Sequence, residues 1–134
     1  MTQCYLLDTN VCIALERGRH AILRQRVAAR PLGQMCICEV VWAELLLAAE
    51  LSGDYGRARS RIEEFRHLAS YPFDRRAAEC HAGIRALLQK EGRTIGANDL
   101  LIAAIVLAND LILVTHNTRE FSRVPGLRLE DWLI

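Results

Sequence analysis

Three carboxylates in this chain sit where a carboxylate is costly. Asp8 ends the apolar run Cys4-Tyr5-Leu6-Leu7 and opens the polar stretch Asp8-Thr9-Asn10. Glu44 lies inside Val40-Val41-Trp42-Ala43-Glu44-Leu45-Leu46-Leu47. Asp99 opens Leu100-Leu101-Ile102-Ala103-Ala104-Ile105-Val106-Leu107. Acids among aliphatics need compensation, and acids that converge raise one another's pKa. A shared Mg²⁺ or Mn²⁺, which takes oxygen ligands and retains waters, compensates all three. A metal so held polarises phosphoryl oxygens, and the natural reaction is phosphodiester hydrolysis. Each acid also has a plainer reading. Asp99 could cap its helix, Glu44 could be an exposed position on an amphipathic helix, and Asp8 could begin a turn. Thr9 and Asn10 also fit a helix-capping role.

The elements that must position these acids follow from apolar periodicity and breakers. Residues 3–7 read as a first strand. A helix from about Asn10 to Glu16 ends at Gly18, and a second from His20 to Ala29 is stopped by Pro31. Met35 to Cys38 reads as a strand leading into a helix from Glu39 to Leu51. Ser52-Gly53-Asp54 breaks it, and helix resumes from Asp54 to Ala69. Tyr71-Pro72-Phe73 is a short strand or an extended link. Asp74 caps a long amphipathic helix to Glu91, with Ala77, Cys80, Ile84, Leu87 and Leu88 at helical spacing. Asn98 or Asp99 starts a buried helix through Ala108. Leu111 to Thr115 is a strong strand, and Leu127 to Leu133 a last strand at one edge. Strands that alternate with helices predict an α/β fold with a central, mostly parallel sheet flanked by helices. Asp8 then stands at the end of the first strand, where open α/β sheets build their sites. Asp99 stands at a helix N-terminus, where the dipole favours negative charge. Thr115-His116-Asn117 brings further oxygen ligands to the same edge; His116 either tunes the site or merely follows the strand.

With 134 residues, the chain reads as one domain, residues 1–134, able to bury a core. A net charge of +1 gives no overall field for nucleic acid or membrane. Lys90 is the sole lysine, so the other basic residues are arginines, whose forks suit phosphates and carboxylates; the composition of a GC-rich genome explains that bias equally. No stretch reads as a signal peptide or a membrane span, since the apolar run Leu100 to Ala108 is too short. The five cysteines, Cys4, Cys12, Cys36, Cys38 and Cys80, are odd in number and lie in apolar segments. Reduced, structural thiols in a cytoplasm are the expectation. His81 falls in a helical pattern as a surface or packed histidine.

Four segments carry a family resemblance: Leu6-Leu7-Asp8-Thr9-Asn10, the embedded Glu44, Ile95-Gly96-Ala97-Asn98-Asp99-Leu100-Leu101-Ile102-Ala103, and Val114-Thr115-His116-Asn117-Thr118-Arg119-Glu120-Phe121. Together with the ending Val124-Pro125-Gly126-Leu127-Arg128-Leu129-Glu130-Asp131-Trp132, they resemble the PIN domain of VapC toxins, most of all the branch that cuts initiator tRNA. Order and spacing match over nearly the whole chain. The resemblance implies that Asp8, Glu44 and Asp99 are metal-site carboxylates. Asn117 stands where many PIN domains have a fourth acid, and an amide cannot be an anionic base. Glu120, one helical turn on, either compensates or is an ordinary surface acid. Thr115 is expected to hydrogen-bond a metal ligand or water, and Arg119 either contacts RNA phosphate or is simply solvated. The implied activity is that of a Mg²⁺-dependent endoribonuclease (Mn²⁺ also fits), with Asp8, Glu44, Asp99 and Asn117 at the cleavage site. Single-stranded loops are the favoured substrates, the anticodon loop of a tRNA among them. The implied partners are a VapB-type antitoxin and a second copy in a homodimer. The apolar helices around Trp42, Leu46 and Ile62 could line the antitoxin's groove or belong to the core.

Rival readings fare worse. A haloacid-dehalogenase-like phosphatase wants a second aspartate where Asn10 stands. A receiver domain wants a lysine ending a late strand, and Lys90 lies in a helix. A non-catalytic PIN domain that only binds RNA or a partner is favoured by Asn117 and opposed by three retained acids.

Overall fold

The computed structural model describes residues 4–134 and contains a five-stranded sheet in the order β3-β2-β1-β4-β5. The strands are β1 Tyr5–Leu7, β2 Met35–Cys38, β3 Ala69–Tyr71, β4 Ile112–Val114 and β5 Leu129–Glu130, and each neighbouring pair is parallel. Seven helices flank it among the described residues: α1 Thr9–Arg17, α2 Ala21–Ala28, α3 Glu39–Leu51, α4 Tyr55–Ile62, α5 Arg75–Lys90, α6 Ala97–Ala108 and α7 Thr118–Phe121. The expected α/β fold with a central parallel sheet is the one observed. The inner strands carry continuous apolar residues, as parallel strands covered on both faces must. All four residues of β2 are buried, and so are all three of β4.

Sheet order fixes what can meet. β1 is the middle strand, paired through Tyr5 and Leu6 to Met35 and Cys36, and through Tyr5, Leu6 and Leu7 to Ile112, Leu113 and Val114. Because every strand runs the same way, the C-terminal ends of β1, β2 and β4 lie along one edge. The starts of α1, α3 and α7 lie there too. α1 is launched by Asp8, whose carboxylate accepts from the Val11 N–H at 2.9 Å, and it ends at Gly18. Gly18 has φ 68°, a conformation glycine adopts without steric cost, and its N–H closes onto the Ala14 and Leu15 carbonyls.

Three expectations need correction. The helix expected from Asp54 to Ala69 stops at Ile62. A 3-10 turn over Glu63–His67 buries Phe65, and the chain then enters β3. Propensity favours helix there, but β2 offers an open edge and Ala69, Ser70 and Tyr71 pair with Cys36, Ile37 and Cys38. The short strand expected at Tyr71-Pro72-Phe73 is therefore Ala69–Tyr71, ending before Pro72. The last strand, expected from Leu127 to Leu133, pairs only through Leu129 and Glu130. Smaller shifts affect helix starts: α1 begins at Thr9 and α6 at Ala97. Gln3, expected in the first strand, lies outside the described residues.

Ile62 belongs to the core, and Trp42 and Leu46 pack against it half-buried. The Arg59 guanidinium lies 5.1 Å over the Trp42 ring. His81 meets Phe73 edge-on at 5.7 Å. All five cysteines are free. No helix among the described residues is long and apolar enough to cross a membrane.

Candidate active site

Asp8 is the anchor of the sheet edge. It is 6% exposed, yet every carboxylate oxygen has a partner. Oδ1 accepts from the Val11 N–H, and Oδ2 accepts from the Thr115 hydroxyl. Backbone bonds bring the two residues together, from Asp8 N–H to the Val114 carbonyl at 3.1 Å and from Thr115 N–H to the Glu130 carbonyl at 3.0 Å. The Thr115 oxygen in turn accepts from the Asn117 N–H at 3.0 Å. Burial pushes the Asp8 pKa up, the bonds from Thr115 and Val11 pull it down, and the negative charge of Glu44 raises it; the net direction is up.

Glu44 reaches the same edge from the second turn of α3. Its Oε1 accepts from the Thr9 hydroxyl at 2.6 Å, and its Oε2 accepts from the Asn98 amide at 3.4 Å. Thr9 thus orients one acid while starting the helix that another acid caps. Asp99 sits in the first turn of α6, half-buried. Burial pushes the Asp99 pKa to about 6, helped by the charges of Glu44, Glu120 and Asp8. Glu120 accepts from the Asn117 amide at 3.3 Å. Four acids therefore share one electrostatic field. The Asn117 amide holds Glu120 beside this field.

The remaining candidates divide. Asn10 is exposed in the first turn of α1, where its backbone N–H bonds Asp8. Arg119 is exposed on α7. His116 is mostly exposed, and its Nδ1 lies 2.9 Å from Asp131 Oδ2. That pair ties the loop carrying Thr115 and Asn117 to the tail after β5. Asn98 and Asp131 were not singled out as site residues. Asn98 had one signal, its place directly before Asp99; Asp131 had none, because its partner is fifteen positions away.

Residues 5–127 match the sequence profile of the PIN domain. The chain is 41% identical over 129 residues to the tRNA(fMet)-specific endonuclease VapC of Shigella flexneri, covering 96% of this chain and 97% of that one. The chain belongs to the VapC family of PIN-domain ribonucleases. It is also 38% identical over 130 residues to ribonuclease VapC2 of Haemophilus influenzae, across 96% of this chain and 98% of that one. The DNA-bound VapBC of Salmonella typhimurium superposes with a TM-score of 0.91 at 34% identity, over 97% of this chain and 98% of that one.

The donor set of this VapC-family chain suits a hard divalent cation. Its polar groups at this edge are oxygens, and burial first, with the neighbouring acids adding to it, raises the pKa of Asp8 and Asp99, a cost that a cation would offset. Among the described residues there is no cluster of three or more His, Cys, Asp or Glu side chains that could hold a metal ion. Mg²⁺ does not require one, because it is commonly held by one or two carboxylates together with waters and substrate phosphates.

Two predictions arise from this geometry. Thr115→Val keeps the side-chain shape but strips partners from Asp8 and the Asn117 N–H. It should cost about 1–3 kcal/mol of stability in urea titration, and a cost near zero would show that the hydroxyl is dispensable. Asp99 has a folded pKa of about 6 against an ordinary 3.8, so the folded chain holds this proton more tightly than the unfolded one. Metal-free protein should therefore lose stability as pH rises from about 4 to about 6, by about 1 kcal/mol after allowance for solvent screening of this half-exposed group. Asp99→Asn should recover that amount at pH 7 and almost nothing at pH 4, in urea titrations with EDTA. The same gain at both pH values would contradict the linkage.

Proposed function

We propose that this chain is a divalent-metal-dependent endoribonuclease toxin that cuts initiator tRNA in its anticodon loop and is restrained by a VapB-type antitoxin. One observation carries the catalytic reading: Asp8, Glu44, Asp99 and Glu120 stand at the C-terminal edge of a parallel sheet, and the charges of the other three add to the burial that raises the Asp99 pKa. In this proposal Asp8 and Asp99 hold Mg²⁺ or Mn²⁺, with Glu44 joining directly or through water. When bound, the cation polarises the scissile phosphate. Thr115 fixes the rotamer of Asp8, Thr9 and Asn98 fix Glu44, and Asn117 fixes Glu120. The amide of Asn117 positions a base and does not act as one. Arg119, exposed on α7, contacts RNA phosphate.

The 41% identity to a tRNA(fMet)-specific endonuclease supports the choice of substrate. Likeness to VapBC complexes supports the partner. A hollow of about 160 Å³ between α1, α3 and α4, lined by Ile13, Leu45, Ala48 and Ile62 with Arg17 and Arg61 beside it, is a suitable seat for an antitoxin segment. Residues 1–134 act as one PIN unit in the cytoplasm, and the toxin works as a homodimer. The alternative of a PIN domain that binds without cutting draws on Asn117, and Glu120 answers it. The test is incubation with initiator tRNA and Mg²⁺, with EDTA and Asp8→Asn as controls. A discrete anticodon-loop cut lost in both controls supports the proposal. No cut of initiator tRNA or of total RNA by folded protein overturns it.

A further inference from the structure

We infer that Cys4 and Cys36 are a disulfide-forming pair that closes when a hydroperoxide oxidises Cys4. Their sulfurs are 3.3 Å apart, against about 2.05 Å in a disulfide, so a shift of roughly an ångström joins them. The strands impose the contact. Cys4 directly precedes β1, Cys36 lies in β2, and the register pairs Tyr5 with Met35 and Leu6 with Cys36. The two cysteines therefore share a face, diagonally across neighbouring strands.

The pair is asymmetric in the way a two-step oxidation needs. Cys4 is partly exposed and is the sulfur an oxidant can reach, while Cys36 is fully buried. Burial and the adjacent Cys4 push the Cys36 thiol up, so it gives up its proton only as the leaving hydroxide takes it in the second step. The other buried thiols have different surroundings; Cys12 points to the Leu7 carbonyl at 4.0 Å. In the first step the Cys4 sulfur attacks the hydroperoxide. The O–O bond breaks, an alcohol or water leaves, and Cys4 becomes a sulfenic acid, oxidised by two electrons. In the second step the Cys36 sulfur attacks Cys4 Sγ. The S–S bond forms, the S–O bond breaks, and hydroxide leaves with the Cys36 proton as water. The balance is two thiols and one hydroperoxide in, one disulfide, one alcohol and one water out.

The link would staple β1 to β2 and constrain the unfolded chain. It lies at the start of β1, about 13 Å along the strand from Asp8 at 3.3 Å per residue, so the acids keep their places.

The test is a non-reducing peptide map of the whole chain after hydrogen peroxide treatment. The expected product is a linked peptide pair, lighter by two hydrogens and separated by dithiothreitol. The link should vanish in Cys4→Ser and in Cys36→Ser and persist in Cys12→Ala and Cys38→Ala. Cys36→Ser, its fold checked by circular dichroism, should accumulate a Cys4 sulfenic acid that dimedone captures. Cys4→Ser changes a partly exposed position and keeps the test decisive if Cys36→Ser fails to fold. A link that survives Cys4→Ser, a link only between chains, or Cys4 oxidised past sulfenic acid with no link would each overturn the inference.

Discussion

Asp8→Asn is expected to reduce RNA cleavage by about 100-fold or more while the protein stays folded. The scale is that of losing one charged group acting on the charge that develops in a transition state. The substitution is chosen for what it preserves. The asparagine oxygen can still accept from the Val11 N–H, so the start of α1 survives. The position is 6% exposed, and a neutral amide is easier to bury there than a carboxylate whose pKa burial and Glu44 already raise. Stability should therefore hold or rise as activity falls. Single-turnover cleavage and a thermal melt on the same preparation separate the two effects. Full cleavage by folded Asp8→Asn would remove Asp8 from the site.

Trp132→Ala should destabilise the protein by about 3–5 kcal/mol, the usual range for deleting a buried aromatic. The ring is fully buried although only Leu133 and Ile134 follow it in the sequence. It sits 5.2 Å from the Tyr5 ring, and the Arg30 guanidinium stacks over it at 4.4 Å. Its Nε1 donates to the Glu130 carboxylate at 2.9 Å. This cluster pins β5 against β4, and β5 supplies the Glu130 carbonyl that receives the Thr115 N–H. Urea denaturation measures the loss, and a cost under about 1 kcal/mol would mean that the tail contributes little. Phenylalanine should recover much of the packing while the Glu130 carboxylate loses the indole N–H and keeps its ion pair with Arg30 at 3.8 Å.

Most strands and helices, and the three scattered acids, were legible because burial on both faces of a parallel sheet leaves continuous apolar runs, and an acid inside such a run stands out. Asp8, Glu44 and Asp99 were visible for that reason. What local pattern could not show was pairing. Glu63–His67 reads as helix by composition, and only the open edge of β2 turns the following residues into β3. Asn98, Asp131 and the hold of Asn117 on Glu120 depend on side-chain direction, which spacing alone does not define. The ambiguity of Glu120 was of this kind. Its four-residue helix is too short to show a periodicity, so its electrostatic link to Asp99 could not be read from spacing.

The order of strands also bears on when the acidic edge can assemble during synthesis. The hydrogen bond from Thr115 to Asp8 joins residues 107 positions apart. A ribosome that has released β1, β2 and β3 has exposed Asp8 and Glu44 but neither Asp99, Thr115 nor Glu120. The central strand waits with one side unpaired until β4 arrives, and contacts of such long sequence separation form late and slowly. The edge that carries these acids is therefore complete only after β4 has been made.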